Sequence, residues 1–301
     1  MARRGPPDFF LFLMTLALDG FGIVMVFSAS SPEAATRFGD ALWYTRKQLL
    51  AAGLGVFLML VIMNIPYLAW KKLYLPFFLG VVGMLVFVLT QPSPGDLPRS
   101  WIEVGGMTLQ PAEFAKLAII LYLATIITRK GEKFEQFLSG LLPVALVVGF
   151  VGGLILLQPD FGTTVVFLAC ATIVIIAGGA KMKHLLLGVI ALAVAALLFF
   201  GGMLFSGGDG ERGYQWKRIE CFLDPWHDTQ NWCYQQVQAE MAFGHGGLTG
   251  AGFGQSVQKL FYLPEAQNDF IFAVIGEEFG FIGVTAFLLL YLAFLWRGII
   301  V

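Results

Sequence analysis

Carboxylates and ammonium groups that could move protons or hold phosphate gather in two short stretches of this sequence. The first is QSVQKLFYLPEAQNDFIFAVIGEEFGFIGV, from Gln255 to Val284, where a polar loop with Lys259, Glu265 and Asp269 runs into an apolar segment. If Phe270 opens a helix, Asp269 stands at its mouth. At about 100° per residue, Ala273, Gly276, Gly280 and Gly283 then fall within roughly 40° of it. A face of small residues lets another backbone approach closely, so Asp269 is expected to point into protein rather than lipid. Such a carboxylate can serve as a general base; it can equally do no more than cap the helix. Glu277 and Glu278 lie about 80° and about 180° from Asp269. Both faces must then be covered by protein, and both carboxyls are expected to be buried and hydrogen-bonded, or protonated.

The second stretch is RSWIEVGGMTLQPAEFAK, Arg99 to Lys116. Pro111 suits a first helical turn, and Glu113 and Lys116 sit one turn apart on one face, where they can pair. The pair is either a salt bridge that fixes the helix or a functional one, and an ammonium in a groove can hold phosphate as a point charge. Asp160, after Gln158 and Pro159, is placed to cap the next apolar run and to hydrogen-bond into the same groove. Asp19 is expected as a polar contact inside the bundle. Arg99, Lys116, Arg212, Lys217, Arg218 and Lys259 form a set of cations suited to a lipid carrying a diphosphate. His184, His227 and His245 are scattered, which argues against a histidine metal site. The residues name no certain cofactor, although a magnesium or manganese ion could bridge a carboxylate and a diphosphate.

The elements that position these groups are membrane helices. Of the 301 residues 57% are hydrophobic and 13% charged, with a mean hydropathy of +0.77, against about 25% charged in ordinary soluble domains. Spans are predicted at 9–27, 43–63, 73–89, 112–128, 138–157, 161–180, 185–205 and 270–296. The expected fold is therefore all-α, one polytopic transmembrane bundle of eight spans over 1–301. Lys and Arg in the short connections favour the side of Arg3, Arg4, Lys71, Lys72, Arg129, Lys130, Lys133, Lys181, Lys183 and Arg297 as cytoplasmic. Both termini are then inside, and a long loop, 206–269, is extracytoplasmic. Within it 230–243 could form an interfacial helix with Cys233, Val237 and Met241 on one side, and the whole loop could cover a groove. Gly246 to Gly254, GGLTGAGFG, lacks the strand and GK[ST] of a nucleotide loop and reads as backbone turns. Cys221 and Cys233 could bridge or stay as thiols, and Cys170 reads as packing. A net charge of -1 argues against a nucleic-acid partner.

The segments QPAEFAKLAI, QPDFGTT, DPW at Asp224 and GGLTGAGFGQSVQKLFYLPEAQNDFIFAVIGEEFGFIG resemble the SEDS proteins (shape, elongation, division and sporulation) of bacteria. This is the FtsW, RodA and SpoVE group, and the wording is nearest its FtsW and SpoVE branch. The resemblance implies a peptidoglycan glycosyltransferase in the cytoplasmic membrane, polymerising lipid II, the undecaprenyl-diphosphate-linked disaccharide-pentapeptide, at the outer face. It also implies a class B penicillin-binding protein as partner. Asp269 matches the family's essential aspartate, Glu113 and Lys116 its QPxExxK pair, Asp160 its PDxGT aspartate and Arg99 the basic residue before Trp101. Gln158 stands where many members have Glu, and Ser100 separates Arg99 from Trp101. The family has ten spans as a rule, so a chain with eight is expected either to be a truncated one or to show that the last two helices are dispensable. Asp269 would act as general base, with Lys116, Arg99 or Arg212 on the diphosphate and Glu265 and Lys259 nearby. A lipid II flippase and a scaffold for the crosslinking partner are the alternatives.

Overall fold

A backbone in lipid must satisfy its own hydrogen bonds, so long apolar runs become helices. The computed structural model describes residues 7–91, 100–104, 107–181, 183, 186, 188, 217 and 220–301. Their order is α1 (Phe9–Phe38), α2 (Trp43–Met63), α3 (Tyr67–Thr90), the strands β1 (Ile102–Val104) and β2 (Met107–Leu109), α4 (Pro111–Lys130), α5 (Leu142–Leu156), α6 (Phe161–Ala177), α7 (Tyr234–Gly246) and α8 (Ile271–Ile300). The fold is all-α and polytopic. Among the described residues six helices are long and apolar enough to cross a membrane, and α6 is a shorter apolar one. Apart from residues 186 and 188, the expected span at 185–205 lies outside the described residues.

Contacts divide the chain into two compact units, Ile65–Gly202 and a unit made of Met1–Asn64 with Met203–Val301. In the first, α4 packs on α3 and α6, and α5 on α6. Leu85, Ile119, Leu123, Ile155 and Phe167 are fully buried between them. Lipid is as apolar as these side chains, so close packing rather than exclusion from water holds this core. The β1–β2 hairpin pairs Ile102 with Leu109 and leads through Gln110 into α4, with Pro111 in its first turn.

In the other unit α1 packs along α2 and α8, and α7 along α8. Asp8, which caps α1, accepts from Arg297 near the end of α8 at 2.9 Å. The two helices therefore run antiparallel. The Arg297 hydrogen bond, followed by the Leu11 amide, holds the Asp8 carboxyl below the usual carboxylate range. α1 also continues past Phe27, the expected end of its span, to Phe38. Polar Ser28 remains helical there because its hydroxyl donates to Glu278 at 2.6 Å.

The largest departure from expectation is inside α8, which is two helical segments joined at Gly280 (φ 63°, ψ -170°). In an unbroken helix the amides of Phe281 and Ile282 would donate to the carbonyls of Glu277 and Glu278. Instead Phe281 donates to Gly247 O (2.9 Å) and Ile282 to Leu248 O (3.1 Å). The two freed carbonyls accept from the amides of Ala251 (2.9 Å) and Gly252 (3.0 Å). The glycine-rich segment thus does form backbone turns, and those turns repair a broken helix. At 1.5 Å per residue the break lies about 14 Å from the start of α8, a depth at which irregular backbone survives only inside protein. α7 reaches the same place: a Cβ on Gly246 would run into the Gly276 carbonyl, so the helices touch where both are small, and the Phe243 ring covers Gly276. The small-residue face of α8 is therefore occupied by α7 and the loop that follows it.

A Gly280→Ala substitution places a side chain in a conformation almost reserved for glycine and drives its Cβ into the Gly250 nitrogen. The conformation alone costs on the order of 1–3 kcal/mol. Gly298→Ala, at a position of α8 with open space around it, should be neutral or slightly stabilising. Thermal unfolding in detergent should therefore separate the two variants by several degrees; equal melting temperatures would exclude the repaired break.

Candidate active site

The loop from Gln255 to Phe270 is fixed from below by two neighbouring carboxylates of α8. Glu277, fully buried, accepts from the Ser256 hydroxyl, from the amides of Val257 (2.9 Å) and Gln258 (3.3 Å), and lies 2.8 Å from His245 Nδ1 on α7. Glu278, 1% exposed, takes the Lys259 ammonium at 2.8 Å and the Ser28 hydroxyl of α1. Lys259 also donates to Ser28 at 3.0 Å. Buried charges are tolerated only when paired and hydrogen-bonded in this way. The expectation that Glu277 and Glu278 are buried and hydrogen-bonded is met.

Lys259 itself is a correction. It was expected among the cations open to a substrate, yet only 7% of it is exposed and its charge is committed to Glu278. Its apolar stem can be buried because that partner waits at the end of it. Glu265 is exposed at a turn, with left-handed φ of 53°, and its carboxylate accepts from Asn268 Nδ2 at 2.7 Å. Asp19, expected as a polar bundle contact, is half-buried and has no hydrogen bond or ion pair among the described residues.

Asp269 stands at the other end of the loop, exposed, two residues before the helix begins. α8 has no side-chain cap, so the capping role is not what this carboxylate does. No hydrogen bond or ion pair engages it among the described residues. It lines a cavity of about 970 Å³ together with Lys217, Asn231, Trp232, Gln235, Gln236 and Phe270. The walls come from the long loop and from the first turn of α7, and a disulfide between Cys221 and Cys233 ties them together. Of the two states open to these thiols the bridge is the one found; Cys170 is free and half-buried. On α7 the buried side is Val237, Ala239 and Ala242, whereas Met241 is 46% exposed. The helix therefore packs against α8 by its small residues and not by the stripe that included Met241.

The remaining candidates belong to the unit Ile65–Gly202. Lys116 and Glu113 pair at 2.8 Å at the start of α4, with the lysine side chain 23% and the glutamate 54% exposed. Asp160 caps α6 through the Thr163 amide (3.0 Å) and accepts from Gln110 Nε2 at 2.6 Å. It is thereby tied to the residue just before α4. Gln158 is buried and donates to Leu85 O at 3.2 Å, a structural role that an amide fills without charge. Arg99 and Arg212 lie outside the described residues. Among the described residues no group of three or more His, Cys, Asp or Glu could hold a metal ion.

Sequence reasoning missed the three amides and the aromatic wall around Asp269. Asn231, Gln235 and Gln236 carry no motif, and only the fold of the long loop brings them to the carboxylate. The Cys221 and Cys233 pair was the available signal, since a bridge there folds the loop back on itself.

Truncating Lys259 to Ala leaves the buried Glu278 carboxyl without its ion-pair partner, which should cost about 3–5 kcal/mol. Lys116→Ala removes a partly exposed pair spaced three residues apart and should cost less than about 1 kcal/mol. Denaturation of the two variants in the same detergent checks the order; a Lys259→Ala protein as stable as Lys116→Ala would show that the buried pair does not hold the loop.

The model of the cell cycle protein family FtsW/RodA/SpoVE matches residues 9–301 of this chain. Over 303 residues the chain is 38% identical to the "Probable peptidoglycan glycosyltransferase FtsW" of Geobacter sp. (strain M18), covering 99% of this chain and 80% of that protein. Over 300 residues it is 40% identical to stage V sporulation protein E of Bacillus subtilis (strain 168), covering 99% and 79%. Among solved structures, a chain of a peptidoglycan synthase complex, described as coordinating polymerization and crosslinking, superposes with a TM-score of 0.73 at 26% identity. The match covers 96% of this chain and 76% of that one. The rod shape determining protein RodA of Thermus thermophilus superposes with a TM-score of 0.62 at 26% identity, covering 96% and 73%.

Proposed function

We infer that this chain, which belongs to the FtsW/RodA/SpoVE family of cell cycle proteins, is a peptidoglycan glycosyltransferase that polymerises lipid II. The observation that carries the reading is the state of Asp269. It is a carboxylate with no hydrogen bond or ion pair among the described residues, exposed to a cavity of about 970 Å³ with amide and aromatic walls. Cavities of roughly 300–1,000 Å³ are the usual size for small-molecule sites, and amides beside aromatic rings suit sugars.

Transfer proceeds with inversion. Asp269 takes the proton of the acceptor sugar's 4-hydroxyl as its oxygen attacks the donor's anomeric carbon. The bond from that carbon to the lipid diphosphate breaks, and the electron pair leaves with the diphosphate. General-base assistance of this kind contributes roughly 10²- to 10⁴-fold. Lys116, with Arg99 or Arg212, is assigned to the departing diphosphate on the chemistry of cations and on the matching motifs. Glu113 holds Lys116 by their ion pair, Asp160 fixes the start of α6, and Glu265 shapes the turn that presents Asp269.

The protein is a multi-pass membrane protein. We place it in the bacterial cytoplasmic membrane with both ends of the chain inside and Asp269 on the outer side, where lysines and arginines in the short connections are fewer. Its partner is a class B penicillin-binding protein, a transpeptidase that crosslinks the strand this enzyme extends.

Asp269→Asn should abolish polymerisation of labelled lipid II by the purified protein. The melting temperature should stay as it was, because among the described residues the carboxylate has no hydrogen bond or ion pair to lose. Full activity in that variant would exclude the base. Proteoliposomes that move labelled lipid across the bilayer without lengthening it would show transport instead.

A further inference from the structure

Lys217 was read from the sequence only as one of several cations, and the reaction above does not use it. The structure gives it a specific setting. It lines the same cavity as Asp269, and its Nζ lies over the Trp232 ring, 4.2 Å from the centroid. Among the described residues no carboxylate lies within ion-pair distance of it. Lys259 of the same unit is neutralised by Glu278, so Lys217 brings an uncommitted positive charge to this cavity.

The backbone that carries the ring is held by three separate restraints. Asp228 accepts from the amides of Asn231 (3.2 Å) and Trp232 (3.3 Å), and the Trp232 amide is the main cause of its carboxyl lying below the usual range. Cys233, the next residue, is bridged to Cys221. An aromatic face attracts an ammonium without neutralising it, so the ring orients the charge and leaves it available to an anion.

We propose that Lys217, oriented by the Trp232 ring, is a catalytic residue that takes the lipid diphosphate in the Asp269 cavity. The proposal rests on the glycosyl-transfer reading above. As the bond between anomeric carbon and phosphate oxygen breaks, negative charge grows on the leaving diphosphate and the Lys217 ammonium stabilises it. The proton of the attacking hydroxyl goes to Asp269 in the same cavity. Base and cation thus line one cavity, and among the described residues neither has a hydrogen bond or ion pair to compete with the substrate.

The test uses the full chain in detergent and two readouts. In a binding assay with farnesyl diphosphate and farnesol as probes, the wild type should prefer the diphosphate. Lys217→Met, which keeps an apolar stem against the ring, should reduce that preference by about 10- to 100-fold, the worth of one charged hydrogen bond. Lys217→Arg should keep most of it. In lipid II polymerisation Lys217→Met should lower kcat by about 10²-fold, as loss of one donor to developing negative charge does elsewhere. Trp232→Leu should follow Lys217→Met in both readouts, and Trp232→Phe should restore them. A Lys217→Met protein with normal melting, unchanged diphosphate preference and kcat within about twofold of wild type overturns the assignment. A wild type that never extends lipid II but shows the Lys217-dependent preference would overturn the reaction and keep the diphosphate site.

Discussion

The unit that carries Asp269 depends on one repaired discontinuity. A helix broken at Gly280 leaves two carbonyls and two amides without partners, and each such group buried in a bilayer costs several kcal/mol. Residues 247–252 supply all four complements, which pins the loop between α7 and α8 against the helix about 14 Å from its start. Once that segment is fixed, the residues after it can only lie back along the first half of α8. Ser256, Val257 and Gln258 are then within reach of Glu277, and Lys259 within reach of Glu278. The charges follow from the break, because a loop packed into a helix must bring its polar backbone and side chains with it.

The same contacts restrain the described part of the long loop along its length. Its described part is held at one end by a disulfide, in the middle by exchange of backbone hydrogen bonds with α8, and near its end by a buried ion pair. α1 joins the same framework through Ser28 and through the Asp8 pair with Arg297. Among the described residues, the carboxylate of Asp269 and the ammonium of Lys217 are left without a hydrogen bond or ion pair. Rigid support around a few uncommitted polar groups is the arrangement that electrostatic catalysis requires, since donors and acceptors need not reorganise as charge develops.

Most of the architecture was legible in the sequence because membrane helices announce themselves by length and apolarity alone. The Glu113–Lys116 pair and the Asp160 cap were legible for a related reason: they obey local spacing rules of three residues. The break at Gly280 was not. Nothing within α8 marks Gly280 apart from Gly276 and Gly283, which are helical glycines on the same face. Its left-handed conformation is imposed by a segment some thirty residues away in the chain. Lys259 was misread for the same cause, since the partner that buries it lies on a helix whose packing the sequence alone does not fix. The amides near Asp269 follow no periodic pattern and reach it through the fold of the loop.

The acidic residues of this segment also show how placement decides chemistry. Asp269, Glu277 and Glu278 lie within ten positions of one another and differ little in intrinsic acidity. Glu277 is surrounded by donors from two elements, and a carboxylate so saturated has no lone pair left for a substrate. Glu278 has one oxygen committed to Lys259 and Ser28, and its other oxygen is buried with no hydrogen bond among the described residues. Asp269 alone of the three lies beyond the helix start, where no neighbouring backbone needs it. A side chain that contributes nothing to holding the fold together is free to be selected for reaction, and the two glutamates below it are what allow the loop to present it without its own help.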